Sequence, residues 1–179
     1  MTTTTGHSVL QLPVPALEAW VRERTRFYDA GFVSADPRFG HAHVTALAPF
    51  APKPSDADLA AIAEIAAATD PITLRLAELG QFPNGIIHLR LEPDGPLRAL
   101  TAALAAAFPQ FPPYGGVFGP EPTPHVTLDA ASPTVTIEST RQLLGDVVPT
   151  TATLTHLQLA WWQSDHCCVV HEWHFPPFG

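Results

Sequence analysis

The chain has 179 residues, of which 46% are hydrophobic and 15% charged, and it carries a formal net charge of −8. That length suits one domain with a sizeable core, and that composition is too apolar for a disordered chain. The acidic balance argues against a long polyanion as partner, although a local cluster of donors can hold one phosphate whatever the global sign.

No apolar run reaches the roughly 18 residues of a bilayer span. The N-terminal stretch MTTTTGHSVLQLPVPALEAW lacks a basic segment, and Pro13, Pro15 and Glu18 break what would be the apolar core of a leader. A cytoplasmic protein without membrane contact is therefore expected. Cys167 and Cys168 are the only cysteines, and neighbours in sequence build no disulfide framework.

In chain order, SVLQL predicts a short strand. PALEAWVRERTRFYD predicts a helix that starts on proline and aligns Leu17, Trp20, Val21 and Arg24. A loop through Gly31, Asp36, Pro37 and Gly40 leads into HAHVTALAPF, a buried strand ending at Phe50. Ser55 is placed to cap the helix DADLAAIAEIAAAT, which Pro71 closes. ITLRLAELGQF and IIHLRLE follow, joined around Asn84-Gly85, a pair suited to a tight hairpin turn. Asp94 can cap the next helix, GPLRALTAALAAAF. The breaker-rich loop QFPPYGGVFGPEPTP then delivers the chain into the strand PHVTLDA. A short helix around STRQLLG precedes two long strands, TATLTHLQLAWWQ and HCCVVHEWHF, separated by Ser164-Asp165 as a second hairpin.

The order strand, helix, strand carrying HVT, helix, strand occurs twice. An internal duplication accounts for this better than two independent domains, because no linker-like segment separates the copies. The expected fold is α+β: one domain over 1–179 with two pseudo-symmetric lobes, approximately 1–83 and 84–179, between which strands can exchange. Each lobe would be an antiparallel sheet with helices on its outer face, and the shared central groove would carry both HxT motifs.

Those motifs are His43-Val44-Thr45 and His125-Val126-Thr127. Side chains two apart on a strand share a face, so His and Thr project together while the valine packs behind them. Two imidazoles around one small volume can divide the work, one neutral as general base and one protonated as general acid. The hydroxyls can donate to non-bridging phosphoryl oxygens. One H-x-[S/T] triplet carries little weight in a chain with 9 histidines, but two identical triplets at matching places in a repeat carry more.

With HVTALAPF, IIHLRLEPDGPLRALTAALAAAFPQFPPYGG and PHVTLD, the chain resembles the two-histidine phosphoesterase superfamily, and within it the 2'-5' RNA ligase and cyclic phosphodiesterase relatives. The resemblance implies a metal-independent enzyme without cofactor that hydrolyses 2',3'-cyclic phosphates or 2'-5' phosphodiester linkages of nucleotides or RNA ends. It also implies His43 and His125 as the acid/base pair and Thr45 and Thr127 as phosphate binders. The expected partner is a small nucleotide or RNA end and not extended nucleic acid, and a monomer is expected. His88 and Arg90 lie in a strand where the resemblance suggests groove-facing, substrate-contacting residues. Tyr114, with Phe111 and Phe118, lies in the loop before the second motif and could stack on a base. Of Trp161 and Trp162, which point to opposite faces, one at most meets the groove and the other belongs to the core.

Three other functions compete. A metal site could use His41 with His43, or draw on His166, Cys167, Cys168, His171 and His174, but no C-x-x-C or HExxH spacing is present. A nucleotide-binding module without turnover, or a reversible 2'-5' RNA ligase, would use the same groove.

Overall fold

The computed structural model describes residues 5–178; residues 1–4, part of the stretch read above for a leader, and residue 179 lie outside it. Ile72–Gln81 alternates buried and exposed positions along most of its length, as a strand with one face in a core must. Eight such segments form β1 (His7–Pro13), β2 (His43–Phe50), β3 (Ile72–Gln81), β4 (Ile86–Glu92), β5 (His125–Ala130), β6 (Thr150–Leu154), β7 (His156–Trp162) and β8 (Cys168–His174). Among the described residues four α-helices accompany them: α1 (Glu18–Tyr28), α2 (Asp56–Ala67), α3 (Gly95–Ala107) and α4 (Ile137–Leu144).

The strands make one antiparallel sheet in the order β6-β3-β4-β5-β2-β1-β7-β8. It has two four-stranded halves, joined where Val44 of β2 pairs with Val126 of β5. Each half of the sheet draws on both halves of the sequence: β3 sits among β4, β5 and β6, while β7 and β8 extend the half built on β1 and β2.

The segment TATLTHLQLAWWQ is two strands, not the single long one expected. β6 is the edge strand beside β3, β7 lies next to the opposite edge, and only Thr155 separates them in sequence. Successive Cα atoms are about 3.8 Å apart, so the sheet has to curl until its ends approach. The Thr155 carbonyl accepts a hydrogen bond from the Phe175 amide at 2.8 Å. Neither glycine nor proline marks this crossing; its one sign is the polar pair Thr155-His156, across which the apolar alternation slips by one residue, from Ala152 and Leu154 to Leu157 and Leu159.

One face of the sheet is apolar. Leu10, Leu12, Val44, Leu89, Leu91 and Val126 meet Ile62 and Ala66 of α2, Leu97, Leu100 and Leu104 of α3, and Leu144 of α4 in a single core. Ser55 caps α2 in a reciprocal box with Asp58, as its position predicts. Asp94 also sits at a helix start, but its carboxylate turns to Arg98 Nε at 2.9 Å and makes no cap bond. The β3–β4 connection is longer than a two-residue turn: the Phe82 amide donates to Ile86 and the Gly85 amide to Phe82, each at 2.9 Å, and of Asn84-Gly85 only the glycine takes positive φ. α1 does not lie outside the groove. Val21, Arg24, Thr25 and Tyr28 form one of its walls.

Candidate active site

Because Val44 faces Val126 in an antiparallel register, His43 lies across from Thr127 and Thr45 across from His125. The valines are fully buried in the core, so all four flanking side chains point to the other face. There they line a groove with two connected parts. A cavity of about 730 Å³ holds His43, and one of about 560 Å³ holds His125. Thr45, Thr127, Ile86 and Tyr114 border both. The threonines therefore stand between the two histidines.

Each motif histidine is oriented in the same way. His43 Nδ1 lies 3.0 Å from the His41 carbonyl and His125 Nδ1 lies 2.8 Å from the Thr123 carbonyl, in both cases two residues upstream. A carbonyl can only accept, so Nδ1 carries the proton and Nε2 is left to exchange one. Burial pushes the His43 imidazole down to about 4, with the His41 carbonyl opposing and His125 reinforcing. Burial also lowers His125, against the hydrogen bond to Thr123.

Aromatic rings brace both imidazoles. Trp162 packs on His43 with ring centroids 5.2 Å apart, and its indole N–H donates to Gln11 Oε1 at 2.9 Å. Trp162 is thus the tryptophan that meets the groove. Trp161 points away, yet it is half-buried rather than core, and it covers Gly6, where a Cβ would come within 2.4 Å of its ring. On the other side Phe82 meets His125 edge to face at 4.8 Å.

Tyr114 borders both cavities from a 3-10 turn over Pro113–Gly116, and it sits at φ 50° with Gly115 and Gly116 also positive. A non-glycine residue held there is strained, and the strain aims this side chain at the groove beside Thr45. Burial raises its phenol above the usual value, with Thr45 opposing. Phe118 lines the His125 cavity from an exposed position. Phe111 does not reach the groove: it packs on Phe50 at 5.2 Å, against the core.

His88 and Arg90 face Thr127 and His125 across the β4–β5 pairing, so both lie on the groove side. Neither borders the cavities. His88 is 3% exposed, stacked on Phe82 at 3.9 Å, which places it behind His125 and not in front of substrate. Arg90 is exposed. His41 is also structural. Its Nε2 accepts from the Ser34 amide at 3.0 Å and its Nδ1 meets Glu18 at 2.6 Å, so both ring nitrogens are used. Among the described residues no three His, Cys, Asp or Glu side chains gather as a metal site would require.

Two groove features escaped the sequence reading. Asp129 lies two residues beyond Thr127, past a register shift that sets it opposite Ile87, and it borders the His43 cavity; its carboxylate accepts from Arg24, Tyr28 and Thr140, each at 2.7 Å. Arg24 and Tyr28, four apart on α1, with a lone carboxylate close after the second triplet, are the signal that could have found this cluster. Phe82 stands in a hairpin connection, where a lone aromatic gives no such signal.

The 2'-5' RNA ligase superfamily model matches residues 13–166, and the chain belongs to that superfamily. Among solved structures, E. coli LigT complexed with 3'-AMP is similar at 20% identity, covering 94% of this chain and 97% of LigT with a TM-score of 0.55. LigT in apo form gives 17% identity, coverage of 96% and 99%, and a TM-score of 0.56. TT0787 of Thermus thermophilus gives 15%, 94% and 97%, and 0.53. No curated protein matches. At these identities the structures establish the shared fold. No helix among the described residues is long and apolar enough to cross a membrane.

The depressed His43 has a consequence for stability. Its folded value of about 4 lies below the ordinary 6.5, so the unfolded chain binds its proton first as pH falls. Stability contributed by the neutral ring is complete above pH 6.5 and is lost as pH drops toward 4, by up to roughly 3 kcal/mol. Burial lowers His7, His88, His125 and His156 in the same sense. Urea unfolding between pH 7 and 4 should show this fall, with a shallower slope in His43→Gln, and equal slopes would mean that His43 does not carry it.

Proposed function

We propose that the chain is a phosphodiesterase hydrolysing 2',3'-cyclic phosphate or 2'-5' linkages of small nucleotides, with His43 and His125 as the proton-transfer pair. The observation that carries this reading is the Val44–Val126 register, which sets two imidazoles with free Nε2 atoms on either side of two hydroxyls. Membership of the superfamily and the likeness to a protein crystallised with 3'-AMP, ATP and phosphate support a nucleotide as ligand.

The phosphoryl group sits between Thr45 and Thr127, whose hydroxyls donate to its non-bridging oxygens. Water attacks phosphorus and gives its proton to Nε2 of one histidine, while Nε2–H of the other protonates the departing ribose oxygen as the P–O bond breaks. His43, pushed down to about 4, is the neutral base at neutral pH. His125 is the acid, and the incoming phosphate's negative charge raises its affinity for the proton. Both transfers use imidazole alone.

The test is turnover of a 2',3'-cyclic mononucleotide and a 2'-5' dinucleotide in EDTA across a salt series. Activity should survive EDTA, and apparent affinity should fall with salt at a log-log slope of about −1, because one phosphate is held. Binding without turnover would make the chain a nucleotide-binding module. A slope several times steeper, with preference for a long oligomer, would replace the small-nucleotide substrate with RNA. Thr45→Ala and Thr127→Ala each remove a hydrogen bond to a charged group, worth about 1.5 to 3 kcal/mol, so each should cost about 10- to 150-fold in kcat/KM. Losses under threefold would take the phosphate away from these hydroxyls.

A further inference from the structure

The two groove histidines are braced by different means. Trp162, behind His43, is pinned by a hydrogen bond to Gln11. Behind His125 the brace is a packed layer of two rings, in which His88 Nδ1 reaches the Ile86 carbonyl only at 3.5 Å. His88 stacks on Phe82 with centroids 3.9 Å apart and planes 13° apart, and both rings meet His125 nearly edge to face, at 5.5 Å and 4.8 Å. The hydrogen bond to Thr123 holds only one corner of the His125 ring, so the direction of Nε2 depends on what its faces and edges touch.

The sequence supplies a seat for His88. In the β3–β4 pairing its partner is Gly80, and a Cβ on that residue would lie 2.8 Å from His88 Nε2 and 2.9 Å from Cε1. Gly80 does not have positive φ, so the glycine answers to space here and not to backbone conformation. Any side chain at 80 would displace the His88 ring and crowd Arg90 Nε, which a Cβ there would approach to 3.2 Å.

We propose that His88 is a positioning residue for His125: seated in the notch left by Gly80 and stacked on Phe82, it fixes the direction in which His125 presents Nε2 to substrate. This rests on the acid/base reading of His125 given above. Burial lowers His88 from its ordinary value, with the Ile86 carbonyl opposing and His125 and Arg90 reinforcing, which favours a neutral ring beside His125.

The test is a double-mutant cycle on His88→Ala and Gly80→Ala, read in two ways. In turnover, each single variant should lose about tenfold or more in kcat with KM within twofold, because neither residue borders the cavities. The double variant should be no worse than His88→Ala, since the added methyl then has no ring to displace. An unchanged kcat, a loss confined to KM, or multiplying losses would overturn the proposal.

The second reading is an NMR titration of the His125 ring in the substrate-free protein. Its midpoint should rise toward the ordinary value of about 6.5 in His88→Ala, as water replaces the missing ring. An unmoved midpoint would overturn the proposal. Because this measurement needs no turnover, it judges the brace even if wild type hydrolyses no phosphodiester, a result that would refute the functional reading by itself. Gly80→Ala keeps every core side chain, so it serves if His88→Ala does not fold.

Discussion

Replacing His43 or His125 by alanine should lower turnover at least about 100-fold while leaving the fold intact, since a positioned acid or base contributes roughly 100- to 10,000-fold. Both rings are only half-buried, and the apolar core lies on the opposite face of the sheet, so each loss removes chemistry without opening a cavity in that core. The pH profile carries the same assignment. Activity in kcat/KM needs one imidazole neutral and one protonated, and the free protein holds His43 near 4 and His125 below the ordinary value. The bell should therefore peak on the acid side of about pH 6.5, and the kcat profile should lie at higher pH because bound phosphate raises both groups. The limbs belong to the pair. Wild-type rates in either alanine variant, with unchanged circular dichroism, would remove the two-histidine mechanism.

The largest effect on stability should come from Asp129→Ala. The Asp129 side chain is 0% exposed and that of its ion-pair partner Arg24 is 15% exposed, so solvent screens this pair far less than a surface one. Removing the carboxylate strands the guanidinium and two hydroxyls, from Tyr28 and Thr140, that now donate to it. Leaving a buried charge without its partner costs about 3 to 5 kcal/mol. For a chain of this size that corresponds to a Tm lower by roughly 10 °C. The network ties α1 and α4 to β5, so the groove wall should loosen as well, and KM should rise. A Tm within about two degrees of wild type would show that α1 is held by its apolar contacts alone.

How far the sequence foretold this site depends on which physical signal each residue obeys. The two triplets were legible because strand alternation and a repeated order act locally. Their meeting was an inference from the repeat, and the register that places them side by side comes from pairing between residues far apart in the chain. Local signals misled where a residue answers to a distant partner. Asp94 follows the pattern of a helix cap, but Arg98 competes for its carboxylate. Phe111 and Tyr114 share one breaker-rich loop, and only the strained turn at Tyr114 separates the core-facing ring from the groove-facing one. His88 reads as a groove-facing strand residue, which it is, but Gly80 across the pairing decides that it sinks behind His125. The crossing at Thr155 is marked only by a slip of one residue in the apolar alternation, from Leu154 to Leu157, with no turn residue to announce it.

That crossing governs the order in which the protein can be completed during synthesis. β1 leaves the ribosome well before β7, and one of its edges pairs with β2 soon after β2 emerges. The other edge waits for β7, where Leu10 meets Leu159. Until β7 emerges the nascent protein therefore presents an open strand edge rich in apolar side chains, the kind of surface that recruits other chains. A chain stopped after β6 would keep both HVT triplets and still lack the strand that seals this edge and the Trp162 that steadies His43. One strand, β7, thus both seals the sheet edge and finishes the groove.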